Sequence, residues 1–299
     1  MSGDRLLLQH EGLAVEVSPL GGAILLARWH GIPVLSPTQT PGLASQLLGT
    51  EACFPLVPFG NRIEDSAFQF EGRDYALAPN TADPLVLHGD GWLRRWSILR
   101  QDRQSVTLDL RQEASAATPF AYEAVQTIAI SGDSLSLSLA VTNRAPQPLP
   151  YGLGFHPYFP RTPGMRVYAR AAQYWTEREK HLPGAPGPMP HDLDFARGGA
   201  LAAGWLNNAF DGWDGKMRVE WPEADLAISL DADENFNCFV LYSPSTDAGF
   251  FCFEPMTHLP NAYHLAPGNG LVRLAPGETF EAKVTLRCRY LDTISKECR

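Results

Sequence analysis

His156 and Glu254 each lie in an apolar, aromatic segment marked by proline: Gly154-Phe155-His156-Pro157-Tyr158-Phe159 and Phe251-Cys252-Phe253-Glu254-Pro255-Met256. Apolar surroundings withdraw water from an ionisable group and disfavour its charged form, so a carboxyl pKa rises there and an imidazole pKa falls. Two groups moved towards each other in this way can exchange protons near neutral pH, as a general base and a general acid must. The same residues also fit a plainer reading, two satisfied polar groups in a β-rich core.

Three further segments carry more side-chain chemistry than plain packing needs. In Phe54-Pro55-Leu56-Val57-Pro58-Phe59-Gly60-Asn61-Arg62-Ile63 the prolines stiffen the chain ahead of Asn61 and Arg62. A guanidinium fork beside an amide suits a polyhydroxylated ligand, although an Arg paired with a nearby acid would look the same. In Leu87-His88-Gly89-Asp90-Gly91-Trp92, His88 stands next to a glycine, and Trp92 with Trp96 offers either sugar-stacking faces or core. In Trp205-Leu206-Asn207-Asn208-Ala209-Phe210-Asp211-Gly212-Trp213-Asp214, amides and carboxylates sit among tryptophans. They build either turns or a carbohydrate site.

Other chemistries find no support. The chain has no Walker loop, no G-x-G-x-x-G and no G-x-S-x-G elbow. Eight histidines and five cysteines include no zinc-type spacing. Glu254 and His258 are four apart, but Pro255 and Pro260 oppose the helix that would bring them together. No cofactor and no metal is expected. A formal charge of −9, with its charges scattered, argues against a nucleic-acid partner. The cysteines (Cys53, Cys238, Cys252, Cys288, Cys298) read as buried free thiols of a reducing compartment. No window is long and apolar enough for a membrane, and the N-terminus lacks a signal-like apolar run, so a cytoplasmic protein is expected.

The elements that must position these residues are strands. Leu13, Val15 and Val17 alternate with polar or small neighbours, as do Leu135, Leu137, Leu139 and Val141, and Val284, Leu286, Cys288 and Tyr290. Each pattern gives a strand one buried face and one wet one. Glu71-Gly72-Arg73-Asp74 and Ser131-Gly132-Asp133-Ser134 read as hairpin turns. With 26 Gly and 25 Pro there is room only for short helical turns, at 43–48 and 201–208. The class is all-β and antiparallel, a sandwich or barrel. The proline- and glycine-rich stretch 182–190 is a candidate linker, read as a surface loop because strand-like sequence continues on both sides. One domain spanning 1–299 follows.

Together, the segments at 54–63, 68–75, 87–89, 154–159, 253–255 and 260–262 resemble, in order, those of the aldose 1-epimerase (galactose mutarotase) family, over nearly the whole chain. The resemblance implies a large antiparallel β-sandwich of the galactose mutarotase-like supersandwich type, and a cofactor-independent isomerase acting on a free sugar, as monomer or homodimer. It puts Glu254 at the catalytic base and His156 at the catalytic acid. Asn61, Arg62 and His88 fall at positions that hold the sugar. It also marks a departure, because Asn207 stands where the family carries an aspartate, and Asp211 or Asp214 is the expected substitute. Alternatives are a hexose-6-phosphate mutarotase, with Arg94, Arg95 and Arg161 as candidate phosphate ligands, a two-carboxylate glycosidase using Asp211, and a non-catalytic sugar-binding protein.

Overall fold

The structure, a computed structural model, describes residues 5–37, 51–266 and 268–291. Two eight-stranded antiparallel sheets dominate, joined by a four-stranded sheet of the N-terminal segments. One large sheet runs from Arg166–Ala169 through Lys216–Trp221, Leu226–Ala232, Thr279–Tyr290, Ser134–Asn143, Tyr122–Ser131 and Ser105–Gln112 to Ser97–Gln101. The other runs from Leu182–Gly187 through Gln173–Arg178, Leu206–Asp211, Cys238–Ser243, Phe250–Met256 and Gly154–Phe155 to Pro55–Leu56, and Tyr158–Pro160 also pairs with Phe250–Met256.

Period-2 alternation decides what each sheet buries. Ser134–Asn143 alternates half-buried and buried along its whole length, and its inward Leu137, Leu139 and Val141 share one apolar cluster with Phe239, Phe251 and Phe253 of the other sheet. Each such side chain contributes roughly 1.5–3 kcal/mol on leaving water, so the clustered faces hold the sandwich together. The all-β class and its antiparallel pairing agree with the sequence. Both expected hairpins form, between Ala67–Phe70 and Arg73–Ala76 and between Tyr122–Ser131 and Ser134–Asn143. Tyr290 differs from the expected pattern, being exposed at the end of its strand.

Two other expectations need correction. Residues Leu182–Gly187 form a strand at the edge of the second large sheet, not a loop. An edge strand tolerates prolines, because one side of its ladder needs no N–H donors. The expected helical turn at 201–208 is not there either, and Leu206–Asp211 is a strand that pairs on both sides. The turn expected at 43–48 lies outside the described residues. Cys53, Cys238, Cys252 and Cys288 are buried free thiols, as expected, and Cys298 lies outside the described residues. No described helix is long and apolar enough to cross a membrane.

The junction between 57–59 and 88–91 is packed backbone to backbone. Gly89 has φ +62°, and a Cβ there would run into the Val57 carbonyl oxygen, whereas Gly72 has φ +75° with nothing near a Cβ. Ala at Gly72 is expected to cost about 1–2 kcal/mol for the left-handed backbone alone. Ala at Gly89 adds the clash and is expected to cost roughly 3 kcal/mol or more. Urea unfolding midpoints of the two variants test this, and equal losses would contradict the packing described.

Candidate active site

The strand Phe250–Met256 serves two faces. Phe251 and Phe253 point into the main core, while Phe250, Cys252 and Met256 join a second apolar cluster on the opposite face with Phe54, Trp92 and Tyr158. Alternation therefore puts Glu254 on that second face. The register does the rest. Gly154 pairs with Met256 and Tyr158 pairs with Cys252, so the same antiparallel count carries His156 opposite Glu254, where the ladder is interrupted. The His156 N–H there donates instead to the Phe54 carbonyl, at 3.0 Å.

His156 Nε2 lies 3.2 Å from Glu254 Oε1, with both side chains almost fully buried. The imidazole is sandwiched between the Phe54 ring (4.6 Å, 25°) and the Tyr158 ring (4.9 Å, 23°), which fixes its plane. Burial pushes the Glu254 carboxyl up to about 8, against a smaller opposing pull from Arg62. Burial pushes the His156 imidazole down to about 3, with a backbone hydrogen bond opposing. Both shifts favour neutral forms, so near neutral pH the pair shares one proton, held mainly on Glu254. His156 Nδ1 and Glu254 Oε2 have no hydrogen-bond partner. The site thus presents a donor–acceptor pair with unused capacity.

Asn61 and Arg62 are held from behind. The Gly60 N–H donates to His258 Nε2 at 2.9 Å, and the Asn61 N–H donates to His88 Nδ1 at 3.0 Å. His258 Nδ1 in turn donates to the Leu259 carbonyl, at 2.8 Å. Two neutral imidazoles therefore accept two successive backbone N–H groups, and burial keeps both neutral by depressing His88 well below its ordinary value and His258 to about 4. From the other side, the Asn261 N–H donates to the Arg62 carbonyl, and Asn261 Oδ1 accepts from the Glu64 N–H. The Pro260-Asn261-Ala262 segment thus braces the loop. The Arg62 guanidinium donates twice to Asp83 Oδ2, at 2.9 and 2.7 Å.

These residues open onto one cleft of 340 Å³, lined by Asn61, Arg62, Asp83, His88, Trp92, His156, Tyr158, His181, Trp205, Asn207, Tyr242 and Glu254 among others. All six residues expected at the site (Asn61, Arg62, His88, His156, Asn207 and Glu254) meet there. Asn207 arrives through the sheet, pairing with Tyr242 one strand away from Glu254. Trp92 lines the cleft, whereas Trp96 is core and donates to the Gly91 carbonyl. Asp211 and Asp214 do not substitute for the missing aspartate. Each accepts from a nearby backbone N–H, at Gly212 and Lys216, and so builds a turn. Trp205, from the segment read as turns or a carbohydrate site, lines the cleft beside Asn207, whereas Asp83, His181 and Tyr242 escaped sequence reasoning, since nothing local marks them.

His88, His156 and Glu254 offer ligand atoms within 4.8 Å of one another, a spacing that could hold a metal ion. The fit fails at His88. Its Nδ1 lone pair is occupied by the Asn61 N–H, so its proton sits on Nε2 and leaves no lone pair there for a metal. That tautomer makes His88 a fixed hydrogen-bond donor, suited to an oxygen ligand.

A sequence profile of the aldose 1-epimerase family matches residues 4–287. The chain is 37% identical over 292 residues to YphB of Escherichia coli K12, a protein of uncharacterised function, covering 95% of this chain and 98% of that one. A solved structure from E. coli K12, provisionally assigned as an aldose 1-epimerase, superposes with a TM-score of 0.90 at 35% identity, covering 96% of this chain and 99% of that one. A galactose mutarotase-like protein from Clostridium acetobutylicum superposes with a TM-score of 0.80 at 18% identity, covering 96% and 95%, and shares the fold. The chain belongs to the aldose 1-epimerase family.

Proposed function

We propose that this protein is a mutarotase, a cofactor-independent isomerase that interconverts the α and β anomers of a free hexose by opening and closing its ring. The observation that carries this reading is the 3.2 Å contact between the buried His156 imidazole and the Glu254 carboxyl, in a cleft rimmed by hydroxyl-binding groups. Ring opening removes a proton from the anomeric hydroxyl and delivers one to the ring oxygen. Ring closure reverses both transfers on either face of the aldehyde, after rotation about C1–C2.

Glu254 takes the first proton and His156 gives the second. Before a sugar binds, burial leaves the proton on Glu254 and the imidazole neutral, which is the state that closes an open chain. Transfer across the 3.2 Å contact produces the carboxylate and imidazolium that open a ring. A sugar hydroxyl donating to the unpartnered Glu254 Oε2 stabilises that carboxylate. Arg62, its guanidinium already oriented by Asp83, and Asn61, His88 and Asn207 hold the remaining hydroxyls.

The sugar-phosphate alternative draws less support. Arg62 is the cleft's guanidinium, and Asp83 already neutralises it. Arg94 lines a separate 290 Å³ cavity, while Arg161 donates to Ser243 and to the Ser245 and Ala202 carbonyls. A glycosidase would need a second carboxylate across the scissile bond, and Asp211 is committed to its turn.

Polarimetry of freshly dissolved α-D-glucose and α-D-galactose tests the reading. Glu254→Gln and His156→Asn are each expected to lose about 10²–10⁴-fold of the acceleration while staying folded. A wild type that accelerates no aldose would refute it. The pair works while it holds one proton, so kcat/KM should fall as pH rises through about 8, where Glu254 gives its proton up. It should also fall in acid near about 3, where His156 gains one. An enzymatic increment still climbing above the upper value would contradict the assignment.

A further inference from the structure

Glu177 lies on Gln173–Arg178, next to the strand that bears Asn207. Trp175 pairs with Ala209, and continuing that register sets Glu177 opposite Asn207, on the cleft face. Three groups that line the cleft converge on this one carboxylate. Asn207 Nδ2 donates to its Oε1 at 2.7 Å, Trp205 Nε1 donates to its Oε2 at 2.6 Å, and His181 Nδ1 lies 2.6 Å from Oε1. His181 folds back over Glu177 through a turn in which both Lys180 and His181 have left-handed backbone, at φ 59° and 57°.

We propose that Glu177 is the specificity-determining carboxylate of the cleft, a positioning residue that fixes the Asn207 amide with its oxygen towards the sugar and pins Trp205 as the adjoining apolar wall. The inference rests on the mutarotase reading, because it concerns how that substrate is held. An unrestrained amide can present either its oxygen or its NH₂ to a ligand. With one Nδ2 hydrogen given to Glu177 the amide cannot flip, so Oδ1 stays on the side away from that carboxylate. There it accepts no hydrogen bond from the described residues, beside the second, unused Nδ2 hydrogen. A hydroxyl donating to that oxygen completes a chain from O–H through the amide to the Glu177 carboxylate, and each bond polarises the next. The charge that an aspartate would place against the sugar is thereby kept one residue further out.

The charge state of Glu177 agrees with this role. Burial pushes its carboxyl up, but the hydrogen bonds from Asn207, His181 and Trp205 together hold it below its ordinary value, as an anion. Trp205 is 47% exposed, yet it is held by that bond and by edge-on contact with Tyr242 at 5.5 Å. A flat ring fixed at the mouth of a cleft offers a face to the C–H side of a sugar. The ligand class that fits is a neutral aldose with a hydroxyl donor at this wall, because an anionic group would meet Glu177.

A reciprocal exchange of amide and carboxylate tests the proposal. Sugar affinity is measured by calorimetry with D-glucose and D-galactose, and KM and kcat by polarimetry, on wild type, Glu177→Gln, Asn207→Asp and the double variant. Glu177→Gln turns an amide NH₂ towards one of three donors and should weaken binding by roughly tenfold, with KM rising more than kcat falls. Asn207→Asp sets two carboxylates against each other and should weaken it similarly. In the double variant the amide introduced at position 177 donates to the carboxylate introduced at position 207, and its oxygen accepts from Trp205. Affinity should then return to within about threefold of wild type. Losses that simply add in the double variant, or an Asn207→Asp protein that binds as well as wild type, would overturn the proposal and leave the mutarotase reading intact. A wild type that neither binds nor turns over an aldose would remove both.

Discussion

Burying a carboxyl group beside an imidazole, on the outer face of a sheet, is the constraint from which the rest of the site follows. Neither group retains its charge easily without water, and the pair sits where apolar surface packs behind it while a cleft opens in front. The second apolar cluster supplies that surface. Phe54 and Tyr158 clamp the His156 ring, and Trp92 backs Phe54 at 5.3 Å. The cost appears in the pH dependence of stability. Glu254, ordinarily near 4.5 but raised to about 8, makes the native state bind more protons than the unfolded one, so its contribution to stability falls as pH rises across that interval. His156, ordinarily near 6.5 but lowered to about 3, does the opposite over its own interval. The two oppose each other between 4.5 and 6.5, and above 6.5 the loss from Glu254 stands alone.

Around that pair the molecule uses neutral imidazoles as struts. His88 and His258 accept consecutive backbone N–H groups, and so order Gly60 and Asn61 ahead of Arg62. Glu64 then links this loop to the outer strands, accepting from Asn261 on one side and from Arg178 on the other. Arg178 is the neighbour of Glu177, so adjacent residues of one strand serve the two sides of the cleft. One orients Asn207 and Trp205, and the other ties the strand to the Asn61–Arg62 loop.

Much of this was legible in the sequence. Alternation exposed the strands, and the unusual density of proline, aromatic and polar residues exposed the segments of Asn61, Arg62, His88, His156 and Glu254. What stayed hidden depends on pairing between distant strands. Glu177 lies 30 residues from Asn207, and nothing near it advertises a role, because its meaning comes from which strand lies alongside. Asp83 and Tyr242 were invisible for the same reason. Asp211 and Asp214 misled because they lie close to Asn207 along the chain, yet their carboxylates serve their own turns. The segment at 182–190 misled because proline and glycine suggest a loop, whereas an edge strand needs only half of its hydrogen bonds.

The register between 154–158 and 252–256 has one further consequence. Paired positions in an antiparallel ladder are locked together, so a slip of one residue would bring Phe155 or Pro157 opposite Glu254 in place of His156. The same slip would turn the inward phenylalanines of that segment outwards. Correct assembly of the core and assembly of the His156–Glu254 pair are therefore a single event. On the mutarotase reading, turnover would report strand alignment directly, and a misregistered but compact chain would be silent.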